Sequence, residues 1–163
     1  VDLESALLII PPQPVQAFAY PLREEYDPVS FAKVPAHFTF FFPFIPAEQS
    51  DEAAEVLQPI CGGFAPFEVT LARYGSFEEI VFLDPVDPQP LIELYQAVSE
   101  AYPDFARPDF HPHLTLARAE DPSKVPLPDP PSFTFTVDKL HIYVGSPGDD
   151  TAPYIPRVAI PLG

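Results

Sequence analysis

The pattern His-x-Thr-apolar occurs twice in this chain, as His37-Phe38-Thr39-Phe40 and as His113-Leu114-Thr115-Leu116, 76 residues apart. Both copies lie in runs of β-forming residues. Residues two apart on a strand share a face. Each copy therefore presents one imidazole and one hydroxyl side by side. Each also follows a helix-like stretch and a Pro-bearing loop. Two such strands could face each other across one site, giving it two imidazoles and two hydroxyls. That predicts two pseudo-equivalent lobes, although the flanking sequences offer no other clear repeat.

Within 163 residues the chain carries 25 Pro and 6 Gly, which cut it into short elements. Its 47% apolar content, with 15 Phe, supports one domain with a packed core. Residues 5–10 read as a buried strand stopped by Pro11-Pro12. Residues 15–26 read as a helix that Pro21 must kink or split. Residues 36–42 form the first motif strand. Ser50 N-caps a helix over residues 51–57, which Pro59 and Gly62-Gly63 close. Residues 64–74 and 79–83 read as strands joined by a turn at Gly75-Ser76. Leu91, Leu94, Tyr95, Val98 and Tyr102 mark one face of a helix over residues 91–102. The second motif strand covers residues 112–118, and a Pro-rich loop follows. Residues 133–144 read as one strand, and residues 154–162 as a closing one. The order β-α-β-α-β-β-α-β-β-β mixes elements without regular alternation, so the fold class is α+β.

An imidazole titrates near neutrality and can serve as base or acid. Cleavage of an ester by water needs both: one neutral His to take a proton from water, one protonated His to give a proton to the leaving oxygen. His37 and His113 supply this pair without a metal. Thr39 and Thr115 supply hydroxyls for the non-bridging oxygens of a phosphate. A second reading stays open at this point. His111 and His113 share a face, and with His37 or His141 they could bind Zn, Cu or Fe, although Thr39 and Thr115 would be poor ligands.

Five Phe surround the first motif, and an aromatic on the His37 face could stack on a base. Strict alternation puts Phe41 on that face and Phe42 on the other, unless a bulge before Pro43 shifts the register. Arg118 alternates away from His113, though its length could carry it to a phosphate. Arg23 and Arg73 read as surface cations. Tyr26 and Tyr143 are candidates for lining a cleft or packing in the core.

The net charge of −16 argues against general nucleic-acid binding, which needs a basic surface. A small phosphate ester or one RNA end remains compatible if a few cations line the cleft. The lone Cys61 fits a reducing compartment. The short apolar run at residues 6–10, behind Asp2 and Glu4, is neither a signal peptide nor a membrane span. A cytoplasmic monomer is the expectation.

Together the motifs resemble those of the 2H phosphoesterase superfamily, the 2′-5′ RNA ligase-like proteins. Pro35-Ala36-His37-Phe38-Thr39-Phe40-Phe41-Phe42-Pro43-Phe44 is similar to the family's first His-x-Thr strand with its trailing Pro-Phe. Phe110-His111-Pro112-His113-Leu114-Thr115-Leu116-Ala117-Arg118 is similar to the second. The similarity spans roughly residues 5–145. It implies a single bilobal domain over residues 1–163, with two pseudo-symmetric antiparallel sheets and flanking helices around a central cleft. It implies metal-free opening of a cyclic nucleotide phosphate, typically a 2′,3′-cyclic phosphate to a 2′-phosphate, in a small nucleotide or at an RNA terminus during RNA processing. Carried over, His37 and His113 are the acid–base pair. Thr39, Thr115 and Arg118 contact phosphate. Beside this carry-over, Phe42 is the aromatic expected to contact the substrate. No cofactor is implied. The strong acidity sets this chain apart from family members that join RNA. A non-catalytic nucleotide-binding module on the same fold is the alternative.

Overall fold

The structure, a computed structural model, describes residues 2–163. Eight strands form one antiparallel sheet: β1 (Glu4–Ile9), β2 (Phe38–Phe41), β3 (Phe67–Phe77), β4 (Ile80–Pro85), β5 (Leu114–Arg118), β6 (Phe133–Val137), β7 (Lys139–Gly145) and β8 (Ile155–Pro161). Their order is β6-β3-β4-β5-β2-β1-β7-β8. The α+β class is as the sequence predicts. The two predicted sheets are the four-stranded halves of this single sheet, and the halves meet at one residue pair, Phe38 opposite Leu114. Asp138 alone separates β6, at one edge, from β7, deep in the other half. The sheet must therefore curl so that its two ends approach, and the amide of Leu162 donates to the carbonyl of Asp138 at 2.8 Å near that closure.

Four helices complete the fold: α1 (Gln13–Tyr26), α2 (Pro28–Lys33), α3 (Ser50–Gly62) and α4 (Gln89–Ala101). The motif spacing of 76 also relates the starts of β1 and β4, of α1 and α4, and of β2 and β5. A second repeat marks the same offset: Pro12-Gln13-Pro14 and Pro88-Gln89-Pro90 begin the two equivalent helices. Pro in the first turn of a helix forgoes an amide that has no partner there.

One face of the sheet carries most of the core. Leu7 and Ile9 of β1 pack there with Val15, Ala19 and Leu22 of α1, with Leu57 of α3 and with Leu94 of α4. Helix α1 reaches across to pack on β5, and α3 packs on β8 and α4. The alternate β1 residues, Ala6 and Leu8, point to the other face and join Val34, Tyr143 and Tyr154. This second face is concave and holds the cleft. Among the described residues no helix is long and apolar enough to cross a membrane.

Four local expectations are corrected. Pro21 does not split its helix and Pro59 does not close its own; both lie inside continuous helices. Each forgoes the bond to the carbonyl four residues earlier, at Ala17 and Glu55. All four residues are exposed, so water satisfies the freed carbonyls. Ser50 is no N-cap. Its hydroxyl donates to the Ala47 carbonyl at 2.7 Å, continuing a preceding 3-10 turn. The β3–β4 hairpin reverses at Glu78-Glu79, with Glu78 at φ 51°, rather than at Gly75-Ser76. Gly75 pairs with Phe82 inside the ladder. A Cβ at Gly75 would lie 2.5 Å from the Phe82 ring, so this Gly serves close packing and not a turn. Finally, residues 133–144 make two strands, because the chain leaves one half of the sheet at Asp138 and enters the other.

Candidate active site

The single pair between the halves organises the site. Phe38 and Leu114 are fully buried, and their side chains point into the core. Their immediate neighbours along each strand must point the other way. The antiparallel register through this pair sets His37 across from Thr115 and Thr39 across from His113. All four are partly exposed, and all four line a cleft of about 1140 Å³. Both His residues lie one position before their strands rather than within them.

Each motif strand then carries a bulge at the same place. The partners of Leu7 and Leu8 step from Phe41 to Thr39, leaving Phe40 as the extra residue in β2. The partners of Val81 and Phe82 step from Ala117 to Thr115, leaving Leu116 extra in β5. A bulge inserts one residue and reverses the alternation beyond it. Phe42 and Arg118, again 76 apart, are thereby turned onto the cleft face. Phe41 goes into the core against Phe44, Tyr95 and Phe105. The shift before Pro43 explains why Phe42 rather than Phe41 meets the cleft. The second bulge corrects the simple alternation reading of Arg118.

The two imidazoles are held alike. Nδ1 of His37 lies 2.8 Å from the Pro35 carbonyl, and Nδ1 of His113 lies 2.8 Å from the His111 carbonyl. A carbonyl only accepts, so Nδ1 carries the proton in both rings. Nε2 is left as the basic nitrogen of each neutral ring. Burial pushes the pKa of His37 down to about 4; its bond to Pro35 opposes this, and nearby Arg23, His113 and Arg118 add to it. The pKa of His113 is also lowered, chiefly by burial, with further pressure from His111, Arg118 and Arg107.

Beside this pair lies a charge network that sequence reading left out. Nε of Arg118 is 3.2 Å from Oδ1 of Asp27, which is only 5% exposed at the break between α1 and α2. Arg23, read from sequence as a surface cation, is 4% exposed and lines the cleft. It donates to the Val34 carbonyl at 2.7 Å and to the Ser30 hydroxyl at 3.3 Å. Burial raises the Asp27 pKa, while Arg118 and Arg23 pull it down. Burial lowers that of Arg23, and Asp27 resists this. Four of the chain's eight Lys and Arg residues line the cleft: Arg23, Lys33, Arg107 and Arg118. Four carboxylates, Glu4, Asp27, Glu78 and Asp109, line it as well, so the cleft is close to balanced in charge where the whole chain carries −16.

The remaining candidates divide. Tyr26 lines the cleft, whereas Tyr143 is buried beside Leu8. Arg73 lies outside the cleft, with Nε 2.9 Å from Oδ2 of Asp84. His111 stands at the cleft edge, its Nε2 3.2 Å from the other oxygen of Asp84. His141 is on β7, and Leu8 of β1 separates it from Thr39, so it does not line the cleft. Among the described residues no group of three or more His, Cys, Asp or Glu has the arrangement to hold a metal ion.

A curled antiparallel sheet whose two halves meet at paired motif strands, with helices packed on its other face, is the fold of phosphoesterases of the 2H, LigT-like type, and the chain is of that class. A family model described as "2'-5' RNA ligase superfamily" matches residues 11–149, and the chain belongs to that superfamily. A provisionally named phosphoesterase of Geobacillus kaustophilus is 29% identical over 156 residues, covering 86% of this chain and 87% of that protein. Another, from Bacillus cytotoxicus, is 32% identical over 123 residues, covering 71% and 70%. Among solved structures, E. coli LigT complexed with NADP+ superposes with a TM-score of 0.73 at 25% identity, covering 99% of this chain and 98% of that one. A Thermus thermophilus structure with a TM-score of 0.67 at 20% identity, covering 99% and 98%, shares the fold.

Proposed function

We propose that this phosphoesterase hydrolyses a cyclic phosphate, a 2′,3′-cyclic nucleotide or the same group at an RNA end, using His37 and His113 as a metal-independent acid–base pair. The observation that carries the reading is the matched tethering of the two Nδ1 atoms to backbone carbonyls 2.8 Å away. It fixes both rings and leaves Nε2 as the basic nitrogen of each, which supports an acid–base role. One neutral imidazole takes a proton from water as the water oxygen bonds to phosphorus. The P–O3′ bond breaks, and the protonated imidazole gives its proton to the departing 3′-oxygen. The product is a 2′-phosphate, and the two rings have exchanged protonation states. Thr39, Thr115 and Arg118 hold the non-bridging oxygens, where charge accumulates in the transition state. That E. coli LigT has been solved with NADP+ supports a nucleotide phosphate as the ligand. The reading is tested by hydrolysis of the four nucleoside 2′,3′-cyclic monophosphates with a chelator present. The expected result is chelator-resistant formation of 2′-phosphates; turnover that vanishes with chelation overturns it.

The lowered pKa values set the pH dependence. The productive free enzyme has one imidazole neutral and one protonated. When pH falls below the values of both rings, about 4 for His37, both are protonated and the base is lost. When it rises above both, and the His113 value too is held below its ordinary one, both are neutral and the acid is lost. The profile of kcat/KM should therefore be a bell lying on the acid side of the ordinary imidazole range, with the His37 limb near pH 4, whichever ring is the base. Bound phosphate stabilises the imidazolium, so the kcat profile should lie at higher pH. A kcat/KM that keeps rising to about pH 9 contradicts this assignment.

A further inference from the structure

Beyond Phe42 the cleft has a second polar arm. Its polar side chains are Glu4, Lys33 and Tyr154, all lining the cleft. Glu4 and Gly145 face each other across β1 and β7. A Cβ at Gly145 would run into the Tyr154 ring, so the bare Gly lets that ring lie against the sheet. The Tyr154 hydroxyl donates to Oε1 of Glu4 in a short hydrogen bond. Nζ of Lys33 stands 5.1 Å from the centre of the same ring, donates to the Ser146 carbonyl at 3.3 Å, and lies 3.8 Å from exposed Asp150. The Phe42 ring bridges the arm to the chemistry, 5.4 Å from Tyr154 and 6.3 Å from His37. Two ring-to-ring steps thus join the His37 imidazole to Tyr154, the partner of Glu4.

We propose that this arm is a guanine-selective nucleobase pocket; the inference rests on the cyclic phosphate lying at His37 and His113. Phe42 supplies a stacking face. A carboxylate only accepts and can take two parallel donors. Guanine alone among the four bases presents two adjacent donors, N1–H and the 2-amino group, beside an acceptor, O6. Glu4 accepts from the two donors, and Lys33 donates a hydrogen bond to O6. Adenine and cytosine offer one amino donor beside a ring acceptor that the carboxylate repels, and uracil offers one N–H between two acceptors. Glu4 also sets the polarity of binding, since its charge repels the phosphate that Arg23 and Arg118 attract at the other end.

The test compares kcat/KM for the four 2′,3′-cyclic mononucleotides in the wild type and in Glu4→Gln. Gln still accepts the Tyr154 bond, so the variant keeps its packing, but it presents one acceptor where the carboxylate presents two. The wild type should favour the guanosine substrate by about tenfold or more, the discrimination a bidentate pair gives against the wrong base. Glu4→Gln should bring the guanosine-to-adenosine ratio to within about twofold of unity. A wild type without guanine preference, or a Glu4→Gln protein that retains it, overturns the proposal. Calorimetric binding of guanosine and adenosine 2′-monophosphates to the His37→Ala/His113→Ala protein reads the same ratio without turnover. Failure of the hydrolysis reading is thereby separable from failure of the pocket.

Discussion

His37→Ala and His113→Ala are each expected to lower kcat on a 2′,3′-cyclic nucleotide by about 10²–10⁴-fold, the contribution of a placed proton donor or acceptor. KM should move little, because the proposed phosphate contacts come from Thr39, Thr115 and Arg118. The double variant should be far less impaired than the product of the two losses, since each ring is useless without the other. Folding should survive. Losing the bond to the Pro35 carbonyl costs about 1 kcal/mol, a few degrees of melting temperature in a chain of this size. A separate signature comes from linkage. The pKa of His37 is lowered on folding, so its contribution to stability is full above the unfolded value of 6.5 and drains away as pH falls towards about 4. His37→Ala should therefore lose less stability than the wild type between pH 6.5 and 4. Parallel pH series of melts and rates check both statements. Single variants that hydrolyse at the wild-type rate would remove these two residues from the mechanism.

Much of the site is legible in the sequence because the motif is local and short. His37, Thr39, His113 and Thr115 share one face through nothing more than strand periodicity. The helix face of Leu91, Leu94, Tyr95 and Val98 is equally local, and all four are buried. What alternation misses is the position after a bulge. Phe42 and Arg118 are out of phase with their motifs until Phe40 and Leu116 are seen to be extra. The bulges follow from pairing with β1 and β4, which no window around the motif contains. The full extent of the repeat is also written in the chain, as Pro-Gln-Pro at residues 12–14 and 88–90. Reading Pro chiefly as a breaker hides its role as a helix-start signal.

Arg23 and Asp27 illustrate a different limit. An isolated Arg on an amphipathic helix is exposed in most proteins. Arg23 is buried because the chain turns back after Asp27 and brings the Val34 carbonyl and the Ser30 hydroxyl over the guanidinium. Asp27 is buried with Arg118, which arrives from the other half of the molecule, as its partner. These are tertiary facts without a periodic trace. They also bear on how a chain of net charge −16 would take the proposed phosphate ligand. Attraction need only be local, and the cleft sets four Lys and Arg side chains against four carboxylates, a balance that the rest of the acidic surface lacks.

That network carries the second large effect. Arg118→Ala is expected to lower kcat/KM by about 10²–10³-fold, the scale seen when one preorganised donor to a developing charge is removed. Arg118→Lys should recover little of it. Asp27 engages the guanidinium at Nε, 3.2 Å away, and the terminal nitrogens are the ones proposed to meet phosphate. An ammonium has no such fork, and cannot hold the carboxylate and a non-bridging oxygen in one fixed geometry. Asp27→Asn separates orientation from charge: the amide oxygen can still accept from Nε, so it should cost far less than Arg118→Ala. Asp27→Ala loses that tether, and the half-exposed Arg118 side chain is then free to sample other rotamers. Inorganic phosphate as a competitive inhibitor gives the direct reading. Its Ki should rise most in Arg118→Ala, less in Asp27→Ala and least in Asp27→Asn. A Ki for Arg118→Ala equal to that of the wild type would mean that the guanidinium serves only to compensate Asp27, and that Thr39 and Thr115 bind the phosphate without it.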